Sequence, residues 1–289
     1  MTSKFVMKGM FGFYLVLFFG YLFGPLLAMG VTAFNTSNYP QVIPFEGFTL
    51  NWFVKLYHHQ QMMEGLLNSV IIGFGVVIIS VPVGLSAAII MNQIYHRARS
   101  LFYLVTVSPL LTPGVIIGIS TVIFWKDMFG LTDVTKAVFY KGVILTILGQ
   151  SSFVAAYCLL IIMARLTRFD RAQEEAALDL GASYPQVFWH ILLPFLRPAL
   201  ISAGVLGFLS SFENYNTTTF AILADKTLVT VLAGETRQGT TPALSALAVI
   251  IIGLSLIGAV IYEILKRREE AASLALKERA RLAERGEEE

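Results

Sequence analysis

The sequence predicts an all-α, polytopic membrane protein with six transmembrane helices. Three observations carry that expectation. Of the 289 residues, 56% are hydrophobic and 14% charged, whereas a soluble domain carries about a quarter charged residues. Apolar runs lie at 10–33, 66–92, 101–125, 142–164, 195–222 and 243–265. Each reaches the roughly 20 residues that a helix needs to cross a hydrocarbon core about 30 Å thick. Lys and Arg, finally, are unevenly spread between the runs. With the amino terminus inside, the inner segments hold Lys4, Lys8, Arg97, Arg99, Arg165, Arg168, Arg171, Arg197, Lys266, Arg267, Arg268 and the four basic residues of the tail. The outer segments hold Lys55, Lys126, Lys136, Lys141, Lys226 and Arg237, so the division of the 21 is 15 against 6. Positive residues collect on the cytoplasmic side of membrane proteins, which predicts that both termini are cytoplasmic.

The first run follows Lys4 and Lys8 and ends near Val31-Thr32-Ala33, in the manner of a secretory leader. A leader's apolar core is about 7–15 residues long, so this longer run reads as an uncleaved first span. Phe34 to Glu64 contains Asn-Thr-Ser, two prolines and Trp52, and reads as an outer loop with an interfacial helix. Its His58-His59 pair is solvated or interfacial, because adjacent residues do not share a helix face and so make a poor metal site. In the third run Ser108–Gly118 carries Pro109, Pro113, Gly114 and Gly118, which predicts a kinked or broken span. Such a break suits a translocation pathway and ordinary bundle packing equally. The lone Cys158 lies within a run and reads as packing. The chain divides into a first helix and outer segment (1–65), a membrane domain (66–265) and a charged tail (266–289) that extends the last helix into water.

The long inner segment, 165–194, is the most informative. Asp170 stands where a helix N-cap belongs, and RAQEEAALDL is composed of strong helix formers. Glu174 and Glu175 fall towards the helix start, where the macrodipole favours anions. Gly181 is placed to end the helix with positive φ. Ser183 and Gln186 then form a capping box, with Pro185 in the unpaired first turn. Val187, Phe188, Ile191 and Leu192 give an apolar face, and Pro194 is expected to end this segment at the membrane. Two capped helices on a tight turn make a preformed knob, fit to dock into a groove on another protein.

Glu175-Ala176-Ala177, three residues, Gly181, nine residues, then Ile191, Leu193 and Pro194 resemble the EAA signature of ABC importer permeases. That resemblance implies the type I importer fold and residence in a bacterial inner membrane. It further implies a coupling helix that docks on an ATP-hydrolysing subunit, with Glu175 facing basic residues there. Partners then follow: an ABC ATPase dimer, a second homologous permease, a periplasmic solute-binding protein and membrane lipid. No GxxxxGK[ST] phosphate loop occurs in the chain, so the ATPase is expected to be a separate polypeptide. Neither a cofactor, nor a metal, nor nucleic acid is expected, and the chain is not expected to be an enzyme.

EGFTLNWFVKLY (Glu46–Tyr57) and the NSVIIGFGVVIISVPVG that follows are similar to putrescine/spermidine importer permeases. The same style occurs in permeases for opines, aminophosphonates and other small solutes. Within LSSFENYNTTTF, Glu213, Asn214, Asn216 and Thr217 are the candidate pathway residues, with Ser210, Glu213 and Thr217 on one face of a continuous helix. An ionised carboxylate in lipid is costly, so Glu213 either lines a water-filled cavity or pairs structurally with a partner permease or helix end. The resemblance to polyamine permeases implies acidic residues in this region, which suit a polycation; a single carboxylate among amides, where two acids are expected, leaves room for a monoamine or a zwitterion. An ion-coupled secondary transporter is the principal rival, and it would leave the capped knob unexplained. A membrane-embedded enzyme or a channel would want a polar constellation or charged ring that the spans do not show.

Overall fold

The computed structural model describes residues 2–128, 141–258, 260, 263, 264 and 267. In chain order the helices are α1 (Thr2–Phe34), α2 (Asn51–Tyr57), α3 (Gln60–Gln93), α4 (His96–Leu111), α5 (Gly114–Met128) and α6 (Gly142–Leu166). They continue with α7 (Ala172–Asp179), α8 (Tyr184–Val187), α9 (Leu193–Phe212), α10 (Asn216–Ala221), α11 (Leu228–Gln238) and α12 (Pro242–Gly258). Four stretches are long and apolar enough to cross a bilayer: Met7–Phe34, Gln60–Gln93, Gly142–Leu166 and Tyr184–Phe212. The third expected run is broken. Thr112 and Pro113 separate α4 from α5, and the two halves are bent by 101°. Pro113 has no N–H to give to Pro109, whose carbonyl accepts from Thr112 instead at 3.3 Å. Counted as one span, the pair is the fifth. The sixth expected run is the shorter α12, and much of its remainder to residue 265 lies outside the described residues, as does most of the expected tail 266–289.

By compactness the chain separates into two units, residues 1–59 with 238–289, and residues 60–237. In the first unit, Ala33 of α1, Trp52 of α2, and Ala243 and Ala246 of α12 form one buried cluster. Thr32 donates to Ser245 across it at 2.8 Å. The segment after α1 is organised by the fully buried Asn35. Its amide donates to the carbonyls of Gln41 (3.0 Å) and Pro44 (3.1 Å), and its Oδ1 accepts from the backbone of Glu46 at 3.0 Å. The Trp52 indole donates to the Asn35 carbonyl at 2.7 Å. Trp52, expected on an interfacial helix, is therefore a buried anchor, with the Lys55 ammonium 4.2 Å from its ring.

The second unit is a bundle around α3, α6 and α9, with Ile72, Val76, Val154, Leu159, Ile162 and Leu196 at its centre. Here α5 packs on α10, and α10 on α6.

The fifth expected run differs from expectation at both ends. Pro194 does not end the segment that begins at Ser183. The chain passes from α8 through a π-turn, Phe188–Leu192, directly into α9. In a π-turn the amide of Leu193 reaches back five residues to Phe188, which absorbs the N–H that Pro194 lacks. At the far end the helix does not run on to residue 222. It stops at Phe212 and resumes as α10 at Asn216.

Candidate functional site

Two regions of the second unit concentrate the expected functional residues. In the first, the knob between α6 and α9, Asp170 Oδ1 accepts from the Ala172 amide at 3.0 Å, but Arg171, one residue later, stands at the N-cap of α7 in place of the expected Asp170. The helix closes in a complete Schellman arrangement. Ala182 N–H donates to the Ala177 carbonyl (3.0 Å), Gly181 N–H donates to Leu178 (2.9 Å), and Gly181 has φ +90°. A capping box then opens α8, with Gln186 Oε1 accepting from the Ser183 amide at 2.7 Å and from its hydroxyl at 3.0 Å. The end of α7 and the start of α8 are thus made by the predicted residues.

The knob is anchored by residues that the motif does not contain. Arg165 lies with its guanidinium 4.3 Å from the Phe195 ring and donates to the Phe195 carbonyl at 3.3 Å. The Phe169 ring packs on Phe195 at 5.1 Å. Arg171 donates to the Asn92 carbonyl, at the end of α3, at 3.0 Å. Glu175 and Ala176 are exposed, Ala177, Ile191 and Leu193 are half-buried, and Pro194 is exposed in the first turn of α9. α7 buries no residue at all. Around the Gly181 turn, Leu180 is 89%, Tyr184 72% and Trp189 62% exposed, an apolar surface at the end of a firmly braced projection.

The second region is the interruption between α9 and α10. Glu213 is the C-terminal cap of α9, and it is exposed. Asn214 serves the break itself, its Oδ1 accepting from the amides of Thr217 (3.0 Å) and Thr218 (3.3 Å) to start α10. Asn216 is exposed and Thr217 fully buried, so Glu213 and Thr217 do not share a helix face as expected. The break is held from α6. Gln150, buried, accepts from the Ser211 hydroxyl and donates to Thr218 Oγ1 at 2.7 Å. Gln150 was not singled out in the sequence, although a carboxamide amid an apolar run was its signal. Against α5, the α10 backbone comes so close that a Cβ on Gly118 would stand 2.6 Å from the Thr217 carbonyl oxygen. Among the described residues no three His, Cys, Asp or Glu side chains gather as a metal site.

A family profile described as "Binding-protein-dependent transport system inner membrane component" matches residues 80–270, two thirds of the chain and the whole of both regions. The chain belongs to this family. As a member, this permease subunit is a multi-pass membrane protein of an ABC importer and not an enzyme. It is similar to the Putrescine transport system permease protein PotI of Escherichia coli, with 29% identity covering 89% of this chain and 90% of that protein. It is also similar to the Spermidine/putrescine transport system permease protein PotC of Haemophilus influenzae, with 26% identity covering 92% and 98%. Among solved structures, a bacterial ABC transporter involved in the import of the acidic polysaccharide alginate superposes with a TM-score of 0.65. At 17% identity over 90% of this permease and 94% of that chain, the likeness is one of fold.

Proposed function

We propose that this permease subunit forms half of the pathway of an ATP-driven importer for a polyamine or related amine. Its knob, 165–194, docks on the cytoplasmic ATPase. One observation carries the solute class. Glu213, exposed, sits at the carboxyl end of α9, where the helix dipole already disfavours an anion. A carboxylate there adds nothing to the stability of α9, and it gives the break an exposed negative charge that an ammonium group would satisfy. The relatives named for putrescine and spermidine span nearly the whole chain and point the same way.

In this reading both termini and the knob face the cytoplasm, in accord with the 15-to-6 distribution of Lys and Arg. Exposed Glu175 and the apolar residues around Gly181 meet the ATPase. A second homologous permease completes the pathway, an ATPase dimer drives it, and a periplasmic solute-binding protein delivers the solute. The test is uptake of labelled putrescine and spermidine by cells that express the complete system, with opines, aminophosphonates and zwitterions as competitors. Saturable uptake blocked by unlabelled amines is expected. Uptake displaced by an opine, an aminophosphonate or a zwitterion, and not by amines, would replace the solute class.

A further inference from the structure

An open groove of about 390 Å³ lies at the break of the third span, lined by the last turn of α4, the flank of α5 and Ser152 of α6. None of its lining residues is charged, and its hydroxyls share one property. Each hydroxyl gives its proton to a backbone carbonyl of its own helix region. Ser108 donates to Val105 (2.8 Å), Thr112 to Ser108 (3.1 Å), Ser120 to Ile116 (2.6 Å), Thr121 to Ile117 (2.7 Å) and Ser152 to Gly149 (2.7 Å). A hydroxyl whose proton is committed in this way offers a ligand only its lone pairs. Ser108, Ser120 and Ser152 are exposed, so those lone pairs are accessible.

A second, independent feature has the same sign. Ser108, Pro109 and Thr112 are the carboxyl end of α4, the negative pole of that helix, and α5 contributes its flank from Ile117 onward, not its amino-terminal turn. Phe124 and Trp125 also line the groove, and an aromatic face attracts a cation. With their protons committed, the five hydroxyls give an anion nothing to bind, and a neutral apolar group would leave their oxygens unused. We propose that this groove is a transit site for a primary ammonium group, held by oxygen lone pairs, a helix carbonyl end and aromatic faces without a full countercharge. A site of this kind holds a cation weakly enough to release it, as passage requires. The inference rests on the amine reading above and places a second station apart from Glu213.

The experiment compares Ser120→Lys with Ser120→Gln in the complete importer reconstituted in proteoliposomes, reading labelled putrescine uptake and the yield of assembled complex. A lysine puts a permanent cation among the acceptors. It is expected to lower uptake about tenfold more than glutamine does, at equal complex yield. Equal uptake by the two variants would overturn the site. Equal loss in both with poor assembly would show that the groove is a packing face for the second permease. A wild-type importer that takes up another solute and no amine would overturn the functional reading, and this inference with it.

Discussion

Gly181 is where the knob depends most on a single residue. Its φ of +90° lies where β-branched side chains are strained by about 1–3 kcal/mol, and nothing lies within 4 Å of a Cβ added there. The penalty is therefore one of backbone conformation and not of space. Gly181→Val should leave the protein in the membrane but weaken its hold on the ATPase, whereas Gly181→Asn, which tolerates positive φ, should lose much less. Co-purification of the ATPase subunit reads the difference, and equal retention by both variants would remove the turn from the coupling surface. Glu213 offers a contrasting case. Glu213→Gln keeps the shape and removes the charge, so uptake should fall roughly tenfold at normal complex yield. Low yield would instead assign the carboxylate to structural pairing. Normal uptake at normal yield would give it neither task.

The helices show where local rules sufficed and where they did not. The end of α7 and the start of α8 were readable because capping boxes and Schellman glycines are local: Ser183, Gln186 and Gly181 need only their own neighbours. The break at Thr112-Pro113 was readable for the same reason. Pro194 misled, since a proline ends a helix only if nothing absorbs its missing N–H, and here the π-turn Phe188–Leu192 does so. The interruption at 213–215 was hidden inside an apolar run. Asn214 is a better cap than a helix interior residue, but that preference shows only when Gln150, 61 positions from Ser211, clamps both sides of the gap. Long-range partners of this kind are invisible to periodicity. The close packing of α5 on α10 makes its own prediction. Gly118→Ala would push a methyl into the Thr217 carbonyl and destabilise the second unit by about 1–3 kcal/mol, read as a lower melting temperature of the purified complex. An unchanged melting temperature would mean that the two helices are free to separate.

The sequence carries no phosphate-binding loop, and in the proposed reading an ATPase subunit supplies the energy while a second permease completes the pathway. The expected orientation is checked by a cysteine at position 175. A membrane-impermeant maleimide should leave it unlabelled in intact cells and label it in inverted vesicles, and labelling from outside would reverse the topology. The most direct test of the whole account is solute uptake by proteoliposomes that contain this chain alone, or this chain with its partner permease and ATPase. Addition of the binding protein and ATP should start amine uptake in the complete system only, and an ion gradient without ATP should start it in neither. Amine uptake by the lone chain, driven by an ion gradient, would contradict the account.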